Sequence, residues 1–311
     1  MIETDDRFSG VLSPVVTPFD DALDPDGPRL AAQCKWMVSQ GVGLAIFGTN
    51  SEANSLSVGE KISLLDELTE SGVPGERLMP GTGCCALSDS VELTRHAVDV
   101  GCRGVLMLPP FYYKGVSDEG LYRNFAEVIE RVGDTRLKVY LYHIPPVAQV
   151  GISLELIERL VTDYPDTVVG IKDSSGDWSN TQAMLDRGWD DFRVLVGSET
   201  FLLKNMRAGG AGCISATANV NPAAIHRLYL EWQSDSADDQ QAALNALRDI
   251  VQTQPMIPAL KAIVARYSGV DSWRRLRPPL VALTEAQYTA LYEALDTVGF
   301  DMPGLAASSV T

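Results

Sequence analysis

Short apolar runs, each ending in a polar or glycine-rich turn, alternate along this chain with stretches whose apolar positions fall at helical spacing. The runs lie at 11–16, 44–47, 77–80, 104–108, 137–141, 168–171, 193–196 and 212–215, and most of their residues are aliphatic. Runs this short with no polar face read as strands covered on both sides. The pattern between them predicts helices over 29–40, 58–71, 88–100 and 117–131, and another opened by Ser153. Ser57 with Glu60 three residues on forms a capping box, and Gly41 stands where the first helix must stop. From Pro222 onward the pattern is helical only, with breaks expected near Pro255, Pro258 and Pro278-Pro279.

Eight strand–helix units in succession predict a parallel sheet with helical crossovers, and eight is the number that closes a barrel. The expected class is α/β: a (β/α)8 TIM barrel over residues 1–221, with a C-terminal helical extension over 222–311 packed on it. An open doubly wound sheet is the competing architecture, but no GxGxxG follows the first strand. A chain of 311 residues, 45% of them hydrophobic, is long enough for a barrel with an addition.

In such a barrel the residues at the ends of the strands crowd one rim, and that rim carries the chemistry. Gly48, Thr49 and Asn50 follow the second strand, Tyr113 the fourth and Tyr142 the fifth; Lys172 closes the sixth. Ser198 and Glu199 follow the seventh, while Ile214, Ser215 and Thr217 end the eighth. Lys172 ends an apolar run, Val168-Val169-Gly170-Ile171, and an ammonium taken out of water is costly unless it is paired or gives up its proton. Two readings follow. Lys172 is a strand-end lysine paired with Asp173 or reaching solvent, or it is a Schiff-base lysine whose amine attacks a ketone. In the second reading Tyr142 moves protons, Thr49 links its hydroxyl to Tyr113, and the amides of Thr49 and Asn50 receive a carboxylate. Glu199 has a plainer role open to it in the first turn of a helix, and His143 is adjacent to the rim.

Acidic residues number 41 against 25 basic, a net charge of −16, which argues against a nucleic-acid partner or an anionic membrane surface. Five cysteines without CxxC spacing fit reduced thiols better than a disulfide framework or a zinc site. Residues 1–7 are acidic with no apolar core, so no signal peptide is expected and the protein is expected to be cytoplasmic. No phosphate loop, metal-ligand spacing or cofactor motif is visible.

Taken in order, Gly48-Thr49-Asn50-Ser51-Glu52 with Leu56-Ser57, Tyr112-Tyr113 with Glu119-Gly120-Leu121-Tyr122, and Tyr142-His143-Ile144-Pro145 form a recognisable series. Gly170-Ile171-Lys172-Asp173, Ser215-Ala216-Thr217-Ala218-Asn219 and Arg277-Pro278-Pro279 continue it. The series resembles the dihydrodipicolinate synthase / N-acetylneuraminate lyase family of pyruvate-dependent class I aldolases. The resemblance implies a (β/α)8 barrel, a homotetramer or dimer of dimers, and an imine between Lys172 and a pyruvate-like 2-oxo acid, with an aldehyde as the second partner and no separate cofactor. It implies Tyr142 as the acid–base residue and Thr49 with Tyr113, the latter from across a subunit interface, as a proton relay. Gly48, Thr49, Asn50, Ser198, Glu199, Ile214 and Ser215 are then the substrate-binding candidates.

Two departures bear on the substrate. The family's second threonine is Asn50 here. The arginine that dihydrodipicolinate synthases carry after Tyr-x-x-Pro is missing from Pro145-Pro146-Val147-Ala148-Gln149, and an arginine–carboxylate fork has no substitute in valine or glutamine. The expectation is a lyase making or breaking a carbon–carbon bond, not an authentic dihydrodipicolinate synthase. The alternatives are a dehydratase or deaminase using the same lysine on a 2-oxo sugar acid or related imine, and a non-catalytic barrel that binds a 2-oxo acid.

Overall fold

The computed structural model describes residues 7–305; the acidic start at residues 1–6 lies outside the described residues. One parallel sheet contains β1 (Gly10–Ser13), β2 (Gly43–Leu44), β3 (Val105–Met107), β4 (Val139–His143), β5 (Val168–Asp173), β6 (Arg193–Val196) and β7 (Gly212–Ile214). Their spatial order is β2-β1-β7-β6-β5-β4-β3. Residues 78–81 join the two outer strands: Leu78 bridges to Leu44 and Gly81 to Leu106. The amide of Met79 donates to Leu44 O at 2.8 Å, that of Gly81 to Ile46 O at 2.7 Å, and that of Leu106 to Pro80 O at 2.9 Å. With this eighth stave the sheet closes into the expected TIM barrel.

The eighth stave corrects one expectation. Residues 77–80 are not a regular strand: Arg77 ends a short 3-10 helix (Gly75–Arg77), and only isolated bridges follow. Pro80 has no N–H to give a ladder. A side chain at Gly81 or Gly83 would run into the backbone of Phe47 or Leu108 on the flanking staves.

Helices cover the outside of the barrel. The hydroxyls of Ser57, Ser117 and Ser153 each accept an N–H three residues on and open Val58–Glu70, Asp118–Val132 and Leu154–Asp163. The helix expected from Ser88 begins instead at Leu87, without a side-chain cap; Ser90 accepts from the Cys84 amide at 2.9 Å. Pro258 is not a break. It sits in the first turn of Met256–Ser268, where a missing N–H costs nothing. Pro222–Leu230 packs against β1, in the place of the barrel's closing helix, and the added helices run on from Ala237–Val251.

The barrel has two apolar layers. Tyr140, Tyr142, Val169, Leu195 and Ile214 fill its interior. Val139, Leu141, Val168 and Ile171 face the helices. Along β5 the alternation is broken once. Val139 pairs with Val168, but the next residue, Tyr140, pairs with Gly170, so Val169 is an extra residue in a bulge. Beyond it Tyr142 stands opposite Lys172 and His143 opposite Asp173. Strict alternation from outward-facing Val168 would have turned Lys172 toward the helices; the bulge turns it inward. Gly170 permits this, because a side chain there would strike the Tyr140 ring and the Arg193 carbonyl.

Candidate active site

Lys172 and Tyr142 are cross-strand neighbours inside β5 and β4, which run two residues further than the apolar runs at 168–171 and 137–141 predicted. Lys172 is 2% exposed, and its Nζ lies 4.2 Å from the centroid of the Tyr142 ring. The Nζ makes no hydrogen bond or ion pair among the described residues. The pairing with Asp173 is absent because that side chain faces the other way. Its carboxylate accepts from Thr181 Oγ1 at 2.6 Å, Asn180 Nδ2 at 3.1 Å and the Ser175 amide at 2.9 Å. His143 faces outward too: its Nδ1 accepts from the Ile152 amide at 3.0 Å, and burial holds the imidazole below its ordinary pKa.

The Tyr142 hydroxyl is 3.1 Å from Thr49 Oγ1. Thr49 begins a tight turn after β2 that the rest of the molecule holds in place. The Gly48 amide donates to Ser51 Oγ at 3.2 Å, and Thr17 Oγ1 donates to Ser51 O at 2.7 Å. Glu52 closes the turn at a left-handed φ of 57°. Its carboxylate, fully buried, pairs with Lys261 of the helix Met256–Ser268, also fully buried. Burial pulls the Lys261 ammonium down to about 8 and raises the Glu52 carboxyl. The C-terminal region thus grips the segment that presents Thr49.

A cavity of about 470 Å³ opens above these groups, lined by Lys172, Tyr142, Thr49, Asn50 and Ser198 and roofed by residues 255–258. That volume falls in the usual range for small-molecule sites. Gly48 borders a small side cavity with Thr49 and Tyr142, whereas Ile214 belongs to the barrel interior. Glu199 and Ser215 stand behind the wall. Glu199 does occupy the first turn of a short helix, but its side chain is buried, accepts from the hydroxyls of Ser215 and Thr217, and pairs with Arg248 at 2.9 Å.

Tyr113 is the departure. It is 73% exposed, edge-on to Tyr112 on the loop after β3, and does not reach the cavity of its own chain. Arg248 is the residue that sequence reasoning missed. It comes from the helix Ala237–Val251 and lines the cavity. An arginine in the last turn of an amphipathic helix carries no local sign of such a role.

The sequence matches the model of the dihydrodipicolinate synthetase family over residues 7–298. The chain belongs to that family. It is 32% identical to an uncharacterized DapA-like lyase of Chloroflexus aurantiacus over 93% of this chain and 96% of that one. It is 30% identical to the 4-hydroxy-tetrahydrodipicolinate synthase of Bacillus subtilis, over 92% of this chain and 97% of the relative. Among solved structures, the dihydrodipicolinate synthase of Agrobacterium tumefaciens superposes with a TM-score of 0.86 at 29% identity, covering 94% of this chain and 100% of that one. YagE of E. coli K12, solved in complex with pyruvate, gives 0.85 at 26% identity, covering 94% and 99%. This dihydrodipicolinate synthetase family member is thus similar to lyases and synthases over nearly its whole length. No helix among the described residues is long and apolar enough to cross a membrane.

Proposed function

We propose that this chain is a class I lyase that joins Lys172 to the ketone of a pyruvate-like 2-oxo acid and makes or breaks the carbon–carbon bond to an aldehyde. The observation that carries the reading is the Lys172 amine, 2% exposed and free of any carboxylate, beside a Tyr142 hydroxyl that is bonded to Thr49. Nζ attacks C2 of the 2-oxo acid, and the resulting carbinolamine loses water while Tyr142 carries the proton between nitrogen and leaving oxygen. In the cleavage direction Tyr142 takes the proton of the C4 hydroxyl, the C3–C4 bond breaks, and its electrons pass into the protonated imine. The aldehyde departs, C3 is reprotonated, and water releases the 2-oxo acid from the lysine. The imine itself is the electron sink, so the scheme draws on no further cofactor.

The Thr49–Asn50 turn is the proposed seat of the 2-oxo acid's carboxylate. Tyr113 would complete the relay from a neighbouring subunit of a homotetramer, which accounts for its exposure in one chain. The wall after β4 carries Ile144 and Val147 and no donor side chain, which supports a reaction other than the dihydrodipicolinate condensation. The pyruvate complex of YagE supports the choice of 2-oxo acid.

Borohydride reduction in the presence of pyruvate should add a covalent mass to the wild type and none to Lys172→Ala; no adduct on the wild type would end the proposal. Product analysis across 4-hydroxy-2-oxo acids should find pyruvate and an aldehyde. Water or ammonia loss without an aldehyde would move the reaction to dehydration or deamination, and efficient use of aspartate semialdehyde would refute the exclusion of dihydrodipicolinate synthesis.

A further inference from the structure

The cavity contains one guanidinium, and its setting is unusual for a residue with only a structural role. Arg248 is 15% exposed, and both of its hydrogen bonds use Nη1, to Glu199 Oε2 at 2.9 Å and Ser215 Oγ at 3.3 Å. Nε and Nη2 donate to no group among the described residues. One edge of the fork is therefore clamped and the other is left with donors to offer at a cavity wall.

The groups around it decide what those donors can take. Glu199 is occupied: its oxygens receive the Ser215 and Thr217 hydroxyls as well as Arg248. Ser198 Oγ is engaged with the amide and hydroxyl of Thr200, at 3.3 and 2.9 Å. Much of the remaining wall is Ile144, Val147, Phe201, Met256, Ile257 and Leu280. Beyond Thr49, Asn50, Ser174 and Ser198 the lining offers the hydroxyls of a polyhydroxylated sugar acid few partners, and each one left unpaired has a cost. A carboxylate suits the free edge of an arginine, which accepts it in two parallel bonds. The chain's net charge of −16 attracts no anion, so the attraction has to be local.

The position adds direction. Lys172 lies on β5, with β4 on one side and β6 on the other. Arg248 is anchored to residues that follow β6 and β7, across Lys172 from the apolar wall after β4. We infer that Arg248 is the specificity residue of this cavity: it binds a carboxylate on the half of the substrate remote from the 2-oxo group, which makes the substrate a 2-oxo dicarboxylate and not a neutral sugar acid. The inference rests on the imine reading for the orientation of the substrate. Glu199 is the positioning residue that fixes the guanidinium.

Two five-carbon 2-oxo acids test it, 2-oxoglutarate and 2-oxovalerate, which differ in ending in a carboxylate or a methyl group. Calorimetry should find 2-oxoglutarate bound about ten- to a hundred-fold more tightly by the wild type, the usual range for a hydrogen-bonded charge. Arg248→Gln should bring the ratio near one and Arg248→Lys should keep part of it, since the charge survives without the fork. Arg248→Gln leaves Glu199 buried and unpaired, so Arg248→Gln with Glu199→Gln is the second variant, expected to show the same lost ratio. Equal binding by the wild type, no binding of 2-oxoglutarate at millimolar concentration, or a ratio that persists in both glutamine variants overturns the inference. Borohydride trapping is read in parallel. A missing adduct with either acid overturns the imine, while the calorimetric ratio judges Arg248 on its own.

Discussion

Replacing Lys261 by methionine probes the link between the C-terminal helices and the rim that carries Thr49. The two long side chains are close in volume, but the ammonium disappears from a site where it and Glu52 are both fully buried. Lys261 Nζ also donates to Arg275 O at 2.7 Å and lies 4.4 Å from the Phe19 ring centroid. Without it the Glu52 carboxylate keeps the Arg277 amide at 3.2 Å and only the weaker attraction of the Arg277 guanidinium, which is itself bonded to Glu60. Removing one partner of a buried pair costs about 3–5 kcal/mol. At about 2 °C per kcal/mol for a large domain, the thermal midpoint should fall by roughly 6–10 °C. Burial already raises the Glu52 carboxyl above its ordinary 4.5, and loss of Lys261 removes the largest opposing influence. A carboxyl raised in the folded state contributes stability that is fully present below its unfolded pKa and is lost as pH rises through the folded value. The variant's deficit should therefore be largest near neutral pH and shrink toward pH 5. Glu52→Gln with Lys261→Met should recover part of the loss. Scanning calorimetry at pH 7 and pH 5 measures both effects. A midpoint within 2 °C of the wild type at pH 7, or a deficit that grows on acidification, refutes the reasoning.

Tyr142→Phe removes the hydroxyl bonded to Thr49, and turnover of a 4-hydroxy-2-oxo acid should drop about 10²- to 10⁴-fold; near-normal steady-state kinetics would remove Tyr142 from the chemistry. Thr49→Val should lower the same rate by about tenfold while Lys172 can still be trapped with pyruvate, because it loosens the phenol and spares the amine. Glu60 is pulled down to about 2, chiefly by hydrogen bonding to the Arg277 guanidinium, so its share of stability is present above about 4.5 and lost as pH falls toward 2. Urea midpoints at pH 5 and pH 3 should show the gap between wild type and Glu60→Gln narrowing in acid. If Tyr113 serves a neighbouring subunit, sedimentation should find an oligomer, and Tyr113→Phe should slow turnover without dissociating it; an active monomer would contradict that role.

Much of this protein was legible in one dimension. A parallel strand covered on both faces must be apolar throughout, so eight short runs between helical patterns already implied a closed barrel, and the caps at Ser57, Ser117 and Ser153 marked helix starts because their hydroxyls bond locally. Lys172, Tyr142 and Thr49 could be brought together from topology alone, since a barrel gathers the ends of its strands at one rim. Three things were decided only in three dimensions. Residues 78–81 close the barrel without forming a strand, because backbone approach at Gly81 and Gly83 takes the place of side-chain pairing. The extra residue Val169 reverses the phase of β5 and sends Lys172 inward, a matter of register that an all-apolar run does not encode. Arg248 reaches the cavity from the helix Ala237–Val251, whose docking depends on Gln241 receiving the Leu203 amide at 3.0 Å and donating to Glu199 O at 2.9 Å. Local pattern governs which elements form; contacts between residues far apart in sequence govern which way a side chain faces and what it meets there.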